Sequence, residues 1–212
     1  MSGVSPERWS RLWHTATNAA PPPDTYARLV ARYSEPRRCY HNLLHIEDCL
    51  GEFDRAKQLA TDPDAVELAI WFHDAIYDPR AADNEERSAG LAKDWLSAVH
   101  ASEVLTDSVG RLVLATKNHD ASLHADAPLL VDVDLTILGR PPEQFREYER
   151  QIREEYAWVE KTVFAARRAE ILQRFLARNR IYKTDLFFHR MEAQARANLR
   201  ASVQRLSYGL SS

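Results

Sequence analysis

Two short segments of the chain combine imidazole and carboxylate groups in a way that suits a metal ion. In the stretch YHNLLH at 40–45, His41 and His45 are four residues apart and would share one face of a helix. In the second segment, His73 directly precedes Asp74 at the end of an apolar run. Two histidines alone are more often packing residues than ligands, so the interpretation depends on all the segments together.

A third segment, VDVDL at 131–135, places Asp132 and Asp134 among aliphatic residues. Burying a carboxylate is costly unless a cation or hydrogen-bond donors compensate for it. A divalent ion provides that compensation directly, whereas helix-capping or salt-bridged aspartates are the alternative. We therefore interpret the three segments together as one metal site with nitrogen and oxygen ligands.

The ligand types indicate which ions the site would take. Two imidazoles and two carboxylates suit Mn²⁺, Fe²⁺, Co²⁺, Ni²⁺ or Mg²⁺ with water in the other positions, and suit a closed zinc site less well. Such an ion acidifies bound water and polarises a phosphoryl oxygen. We expect one or two divalent ions as the cofactor.

The elements that position these segments are predicted to be helices. Glycine is scarce, with 6 residues, and the 10 prolines lie mostly at segment boundaries. Ser5 before Pro6 and Asp24 after a proline run are typical helix starts. Only 129–138 could pass for a strand, and its helical surroundings favour a helix. Apolar periodicity predicts further helices at about 41–60, 65–72, 84–100, 106–119, 143–158, 162–180 and 185–206.

Composition and charge narrow the class of protein. The chain has 212 residues, 45% of them hydrophobic, and a net charge of −3, so we expect a globular, all-α protein without a broad basic field for a nucleic acid polymer. No apolar run is long enough for a membrane span and no signal peptide is evident, so we expect a cytoplasmic protein. Cys39 and Cys49 form no metal-site spacing and are interpreted as packing residues. The oligomeric state cannot be read from the sequence.

The order His…His-Asp…Asp resembles the HD-domain superfamily of metal-dependent phosphohydrolases. The stretch YHNLLHIEDCL is similar to the YHNxxHAxxV motif of cyclic-nucleotide phosphodiesterases. WFHDAIYD, DNEERSA, VDVDLTILG, REEY and ARANL extend the resemblance to a bacterial family of predicted HD-superfamily phosphohydrolases over nearly the whole chain. The resemblance implies an HD-type helical bundle in one domain, 1–212, with a metal-site core at about 24–140 and a helical extension at 141–212 that packs on it.

The resemblance also implies roles for individual residues. The metal ligands would be His45, His73, Asp74 and Asp134, with Asp132 as a rival for the last position. His41 would be the general acid, since imidazole titrates near neutral pH. Asp78 would orient the attacking water, or would cap a turn before Pro79.

Four more side chains are candidates for substrate binding. Glu86 would face the site, although acids in a first helical turn are common without a ligand. Lys117 and His119 end a helix, and His119 would ligate a second ion, contact a phosphate or only end the helix. Arg153 in REEY, like Arg196 in ARANL, would bind phosphate through its guanidinium group, although such basic residues usually form a solvated face.

Together with these residues, the resemblance implies hydrolysis of a phosphate ester, phosphodiester or pyrophosphate in a small, nucleotide-like substrate. Two alternatives keep the same fold. The first is a di-iron oxygenase, which needs more histidine ligands and would use His119 and His124. The second is a nucleotide-sensing module that binds without turnover.

Overall fold

The computed structural model describes residues 3–210, and within that range every regular element is a helix. The prediction of an all-α protein is therefore confirmed. The chain divides between Asp134 and Leu135 into two compact units. The predicted single domain with a core at about 24–140 and an extension at 141–212 stays a prediction. Within the described residues, no helix combines the length and apolar character needed to cross a membrane.

The first unit contains seven α-helices and one 3-10 segment. Their bounds are α1 Pro6–Thr17, α2 Thr25–Tyr33, α3 Leu43–Ala56, the 3-10 segment Lys57–Leu59, α4 Pro63–Phe72, α5 Asn84–Ala98, α6 Glu103–Asn118 and α7 Ala127–Asp134. The stretch at 129–138 is helical, as its surroundings predicted, because α7 continues into a 3-10 segment.

Local capping explains where several of these helices begin. The side chain of Ser5 accepts a hydrogen bond from the backbone N–H of Arg8 at the start of α1, and Asp62 accepts one from Ala65 at the start of α4. Asp24 occupies the predicted cap position of α2, but its side chain makes no capping hydrogen bond. Its backbone is left-handed, with φ 60°, so the predicted capping contact is wrong there.

Helix α4 forms the centre of the first unit. Every residue from Ala65 to Phe72 is buried, which is typical of a helix surrounded by others. The indole of Trp9 on α1 lies 5.4 Å from that of Trp13 and 5.3 Å from that of Trp71, both edge to face. This packing holds the end of α4, and therefore His73, in the interior.

The second unit contains the 3-10 segment Leu135–Gly139, α8 Pro142–Glu155, α9 Lys161–Leu176 and α10 Asp185–Leu210. Its 3-10 segment packs closely on α10. A Cβ atom on Gly139 would lie 2.6 Å from the Cβ of Met191 and 3.0 Å from the hydroxyl of Tyr182. Only glycine fits that approach without displacement of its neighbours.

Candidate metal centre

His73 is the residue that caps the end of α4, and its ring is oriented by the same helix. Its backbone N–H donates to the carbonyl of Ala69, and its Nδ1 lies 2.9 Å from the carbonyl of Ile70. A carbonyl only accepts hydrogen bonds, so Nδ1 carries the hydrogen and the neutral ring presents the lone pair of Nε2. This is the tautomer that a metal ligand requires.

Three other side chains lie close to the Nε2 atom of His73, and the four residues come from three segments that are distant in sequence. His45 Nε2 lies 3.1 Å from His73 Nε2 and 3.3 Å from Asp134 Oδ1, and His73 Nε2 lies 3.2 Å from Asp74 Oδ2. The His45–Asp74 and His73–Asp134 distances are both 3.6 Å. Adjacent donors around an ion at about 2.1 Å lie roughly 3.0 to 3.4 Å apart, so this set fits one divalent ion.

The charges of the cluster also favour a cation. Both imidazoles are buried, and the side chains of Asp74 and Asp134 are 17% and 16% exposed. Within residues 3–210, neither carboxylate forms a salt bridge with a lysine or arginine. The two negative charges therefore face only imidazoles, whose own charge depends on pH.

The acids and the histidines shift one another's pKa values. Burial raises the pKa of Asp74 and of Asp134, but the imidazoles outweigh it and hold both values well below the usual range. Burial lowers the pKa of His73, but the charges and hydrogen bonds of Asp74 and Asp134 raise it well above its usual range. The site therefore favours carboxylates that are ionised and a positive charge beside them.

Asp134 is the aspartate of the third segment that joins the cluster. It is the last residue of α7, and its second oxygen, Oδ2, lies 3.5 Å from His119 Nε2. Asp132 is fully buried and belongs to neither group of convergent donor atoms found among the described residues.

His41 lies beside the cluster but not on the helix that carries His45. Helix α3 begins only at Leu43, and the side chain of Asn42 caps it by accepting from the N–H of Leu44. The expectation that His41 and His45 share a helix face is therefore wrong, because the cap interrupts the helix between them. The ring of His41 stacks on Tyr77 at 4.3 Å and lies 6.1 Å from the ring of His45. Its role as general acid stays a prediction.

Asp78 makes the contacts of a turn residue. Its Oδ1 accepts from the backbone N–H of Arg80 at 3.0 Å, while the side chain of Asn84 binds both its N–H and its carbonyl. This geometry supports the capping alternative before Pro79. A role for Asp78 in orienting water stays a prediction.

Glu86 and Lys117 are exposed and paired with each other. Lys117 Nζ donates to Glu86 and also to the carbonyl of Ala82. The neighbouring acid Glu85 is half-buried. Its pKa is raised mainly by burial and further by the charge of Asp74. The sequence analysis missed Glu85, although its spacing from the buried Ser88 on α5 places both on one helix face.

Of the two further histidines that an oxygenase would need, only one joins the cluster. His119 follows the end of α6 with a left-handed backbone, φ 51°, which is uncommon outside glycine, and this brings its ring to Asp134. His124 instead accepts a hydrogen bond at Nδ1 from the backbone N–H of Asp126.

The two arginines proposed for phosphate binding lie in the second unit and bind backbone carbonyls there. Arg153 donates to the carbonyls of Tyr156 and Val159, at 2.7 and 3.0 Å. Arg196 donates to three carbonyls at and just after the end of α9, those of Leu176, Arg178 and Asn179, and also pairs with Glu192. These contacts satisfy backbone groups at helix ends. Substrate binding by Arg153 stays a prediction.

Arg38 is a residue of the site that sequence reasoning missed. Its buried guanidinium donates to the carbonyls of Asp74 at 2.6 Å, Ala75 at 3.1 Å and His41 at 3.2 Å. It thereby joins the segment before α3 to the segment after α4. An arginine in a polar stretch is usually a surface residue, so no local signal marks it.

Cys49 lies beside the cluster, and its interpretation as a packing residue stays a prediction. Its sulfur is 3.7 and 3.8 Å from the two ring nitrogens of His45, and this near-equal separation places it over the ring, away from the direction of the Nε2 lone pair. Burial, followed by the charges of Asp134 and Asp74, raises the pKa of the thiol well above its usual value. Cys49, His45 and Asp134 also form a second group whose donor atoms lie within 4.8 Å of one another.

No family model, curated protein or solved structure matches the chain. The resemblance to the HD-domain superfamily therefore rests on the sequence motifs.

Proposed function

We propose that the chain is a divalent-metal-dependent phosphohydrolase of the HD type. The substrate class is a small, nucleotide-like phosphate ester, phosphodiester or pyrophosphate. The proposal rests on the convergence of two imidazole nitrogens and two carboxylate oxygens. The distance between the two imidazole nitrogens and the four distances from these nitrogens to the carboxylate oxygens range from 3.1 to 3.6 Å. The HD-type motifs supply the choice of phosphate chemistry.

The residues in and beside the cluster would have different roles in such a reaction. His45, His73, Asp74 and Asp134 would hold the ion, and the bond from His73 Nδ1 to Ile70 keeps the ring in the ligating tautomer. The ion supplies Lewis acidity toward a phosphoryl oxygen and lowers the pKa of water. His41, fixed by its stacking on Tyr77, donates a proton from its ring to the leaving oxygen.

Metal binding provides the first test. The wild-type chain is dialysed against Mn²⁺, Co²⁺ or Ni²⁺, and bound metal is measured with and without EDTA. An ion at 100 times its Kd is expected to raise the free energy of unfolding by about 2.7 kcal/mol. Asp74→Asn should weaken metal affinity by more than about 100-fold and remove this stabilisation. Asp107→Asn is the matched control, because Asp107 is exposed and pairs only with Arg111 on α6.

Turnover provides the second test. The metal-loaded chain is assayed for phosphate release from a panel of nucleotides, cyclic nucleotides and sugar phosphates. Asp74→Asn should abolish hydrolysis, and Asp107→Asn should retain it. Hydrolysis that survives in Asp74→Asn would contradict the proposal, as would a wild-type chain that binds metal but cleaves no phosphate. Two irons per chain with oxygen consumption would favour the oxygenase alternative instead.

A further inference from the structure

The second unit contains a cavity that takes no part in the proposed metal chemistry. It has a volume of about 450 Å³ and lies between α8, the start of α9 and the end of α10. Part of its wall is apolar and comes from Phe164, Ala165 and Leu206. This volume falls within the usual range for small-molecule sites, roughly 300 to 1,000 Å³.

The charged residues around the cavity are mostly basic. Five of them are Arg or Lys, and Glu149 is the one acid in the lining. Glu149 is already neutralised, because it pairs with the buried Arg168 and accepts a hydrogen bond from Ser202. The cavity therefore has no free carboxylate in its lining. The basic lining residues are Arg146, Arg150, Arg153, Lys161 and Arg205.

Three of the five positive charges have no acidic partner. Arg146 and Arg150 form salt bridges with glutamates of α8. In contrast, among the described residues Arg153 binds only backbone carbonyls and the face of Phe164, and the side chains of Lys161 and Arg205 form no hydrogen bond or ion pair. One cation from each of the three helices is thus left for a ligand.

The geometry of Arg153 suits ligand binding. Two of its five N–H groups are fixed on the carbonyls of Tyr156 and Val159, and its guanidinium lies 4.8 Å from the centre of the Phe164 ring. The remaining N–H groups are therefore held in place before any ligand arrives. An anionic group bound here would neutralise the charge of Arg153. The apolar part of the same ligand would cover Leu206 and Ala165.

We propose that this cavity is a binding site for a small amphipathic anion, that is, a phosphate, sulfonate or carboxylate attached to an apolar body. The anionic group lies at Arg153, Lys161 and Arg205, and the apolar body lies against Ala165 and Leu206. The lining of this site includes none of the proposed metal ligands, and the proposal does not rest on the proposed function.

The test uses anilinonaphthalene sulfonate, whose fluorescence rises in an apolar site. Titrations are made in EDTA, so that no ion at the metal centre contributes. The wild-type chain should bind the probe saturably, and Lys161→Gln with Arg205→Gln should weaken binding by at least about tenfold. The control is Arg174→Gln with Arg200→Gln, which removes the same charge from exposed positions of α9 and α10 outside the cavity. It should change affinity by less than about twofold.

Competition with the bound probe tests the amphipathic character. Phenyl phosphate should displace the probe at a concentration at least about tenfold lower than inorganic phosphate, because only the former covers the apolar wall. Equal loss of binding in the two double variants would overturn the proposal, since the probe would then respond to overall charge. Equal competition by the two phosphates would overturn it as well, and so would the absence of saturable binding in the wild type.

Discussion

Two buried clusters of charged groups, one in each unit of the chain, compensate their charges in different ways. In the second unit, the buried Arg168 has Glu149 and the hydroxyl of Tyr148 as partners, and Glu149 also binds Ser202. This network joins opposite charges and contains its own cation. In the first unit, Asp74 and Asp134 face only imidazoles.

The difference distinguishes a structural network from a site built for a ligand. Pairing between permanent charges is complete within the network of Arg168 and Glu149, so that network needs no ion from solution. Among the described residues, Asp74 and Asp134 form no salt bridge with a lysine or arginine, and desolvation makes that arrangement costly. The ion of the proposed metal site would supply the missing charge. Three sets of variants test this comparison.

The largest effect is expected from Glu149→Gln in the second unit. It leaves the guanidinium of Arg168 buried without its acid and should lower the free energy of unfolding by about 3 kcal/mol. Urea denaturation followed by circular dichroism measures the loss, which should be the same in Mn²⁺ and in EDTA. The double variant Glu149→Leu with Arg168→Met should recover at least half of the loss. A loss that depends on metal would show that the network is not self-contained.

A smaller effect is expected from Arg38→Lys in the first unit. A lysine cannot bind the carbonyls of His41, Asp74 and Ala75 together, so we expect about 2 kcal/mol of destabilisation and roughly tenfold weaker metal binding. Thermal denaturation and metal titration measure the two effects. The control is Arg37→Lys, whose exposed side chain pairs only with Glu35 and should change stability by less than about 0.5 kcal/mol. Equal results for the two variants would argue against a role for Arg38 at the site.

The smallest effects concern packing and compare one glycine from each unit. Gly139→Ala in the second unit should cost about 1 to 2 kcal/mol, because the new methyl group meets Met191 and Tyr182. Gly51→Ala in α3 meets nothing within 4 Å and should stabilise the protein by about 0.5 to 1 kcal/mol. Chemical denaturation gives both values. A neutral Gly139→Ala would mean that the 3-10 segment moves freely away from α10.

Much of the fold could be predicted because its signals are local. Ser5 with Pro6 and Asp62 with Pro63 start helices through contacts three residues away, and apolar periodicity placed the remaining helices within a few residues. The start of α3 was misplaced because Asn42, a strong cap, lies inside an otherwise helical pattern. That error also placed His41 on the wrong element.

The sequence by itself determined the residue types of the cluster and the burial of His73 at a helix end, since both follow from composition and local pattern. Only the tertiary structure determines which residues of each segment come close together in the cluster. Asp132 and Asp134 are separated by about 200° around α7, so they point in different directions, yet both are flanked by aliphatic residues. Which of them faces the histidines depends on how α7 packs against α3 and α4, and that packing is non-local.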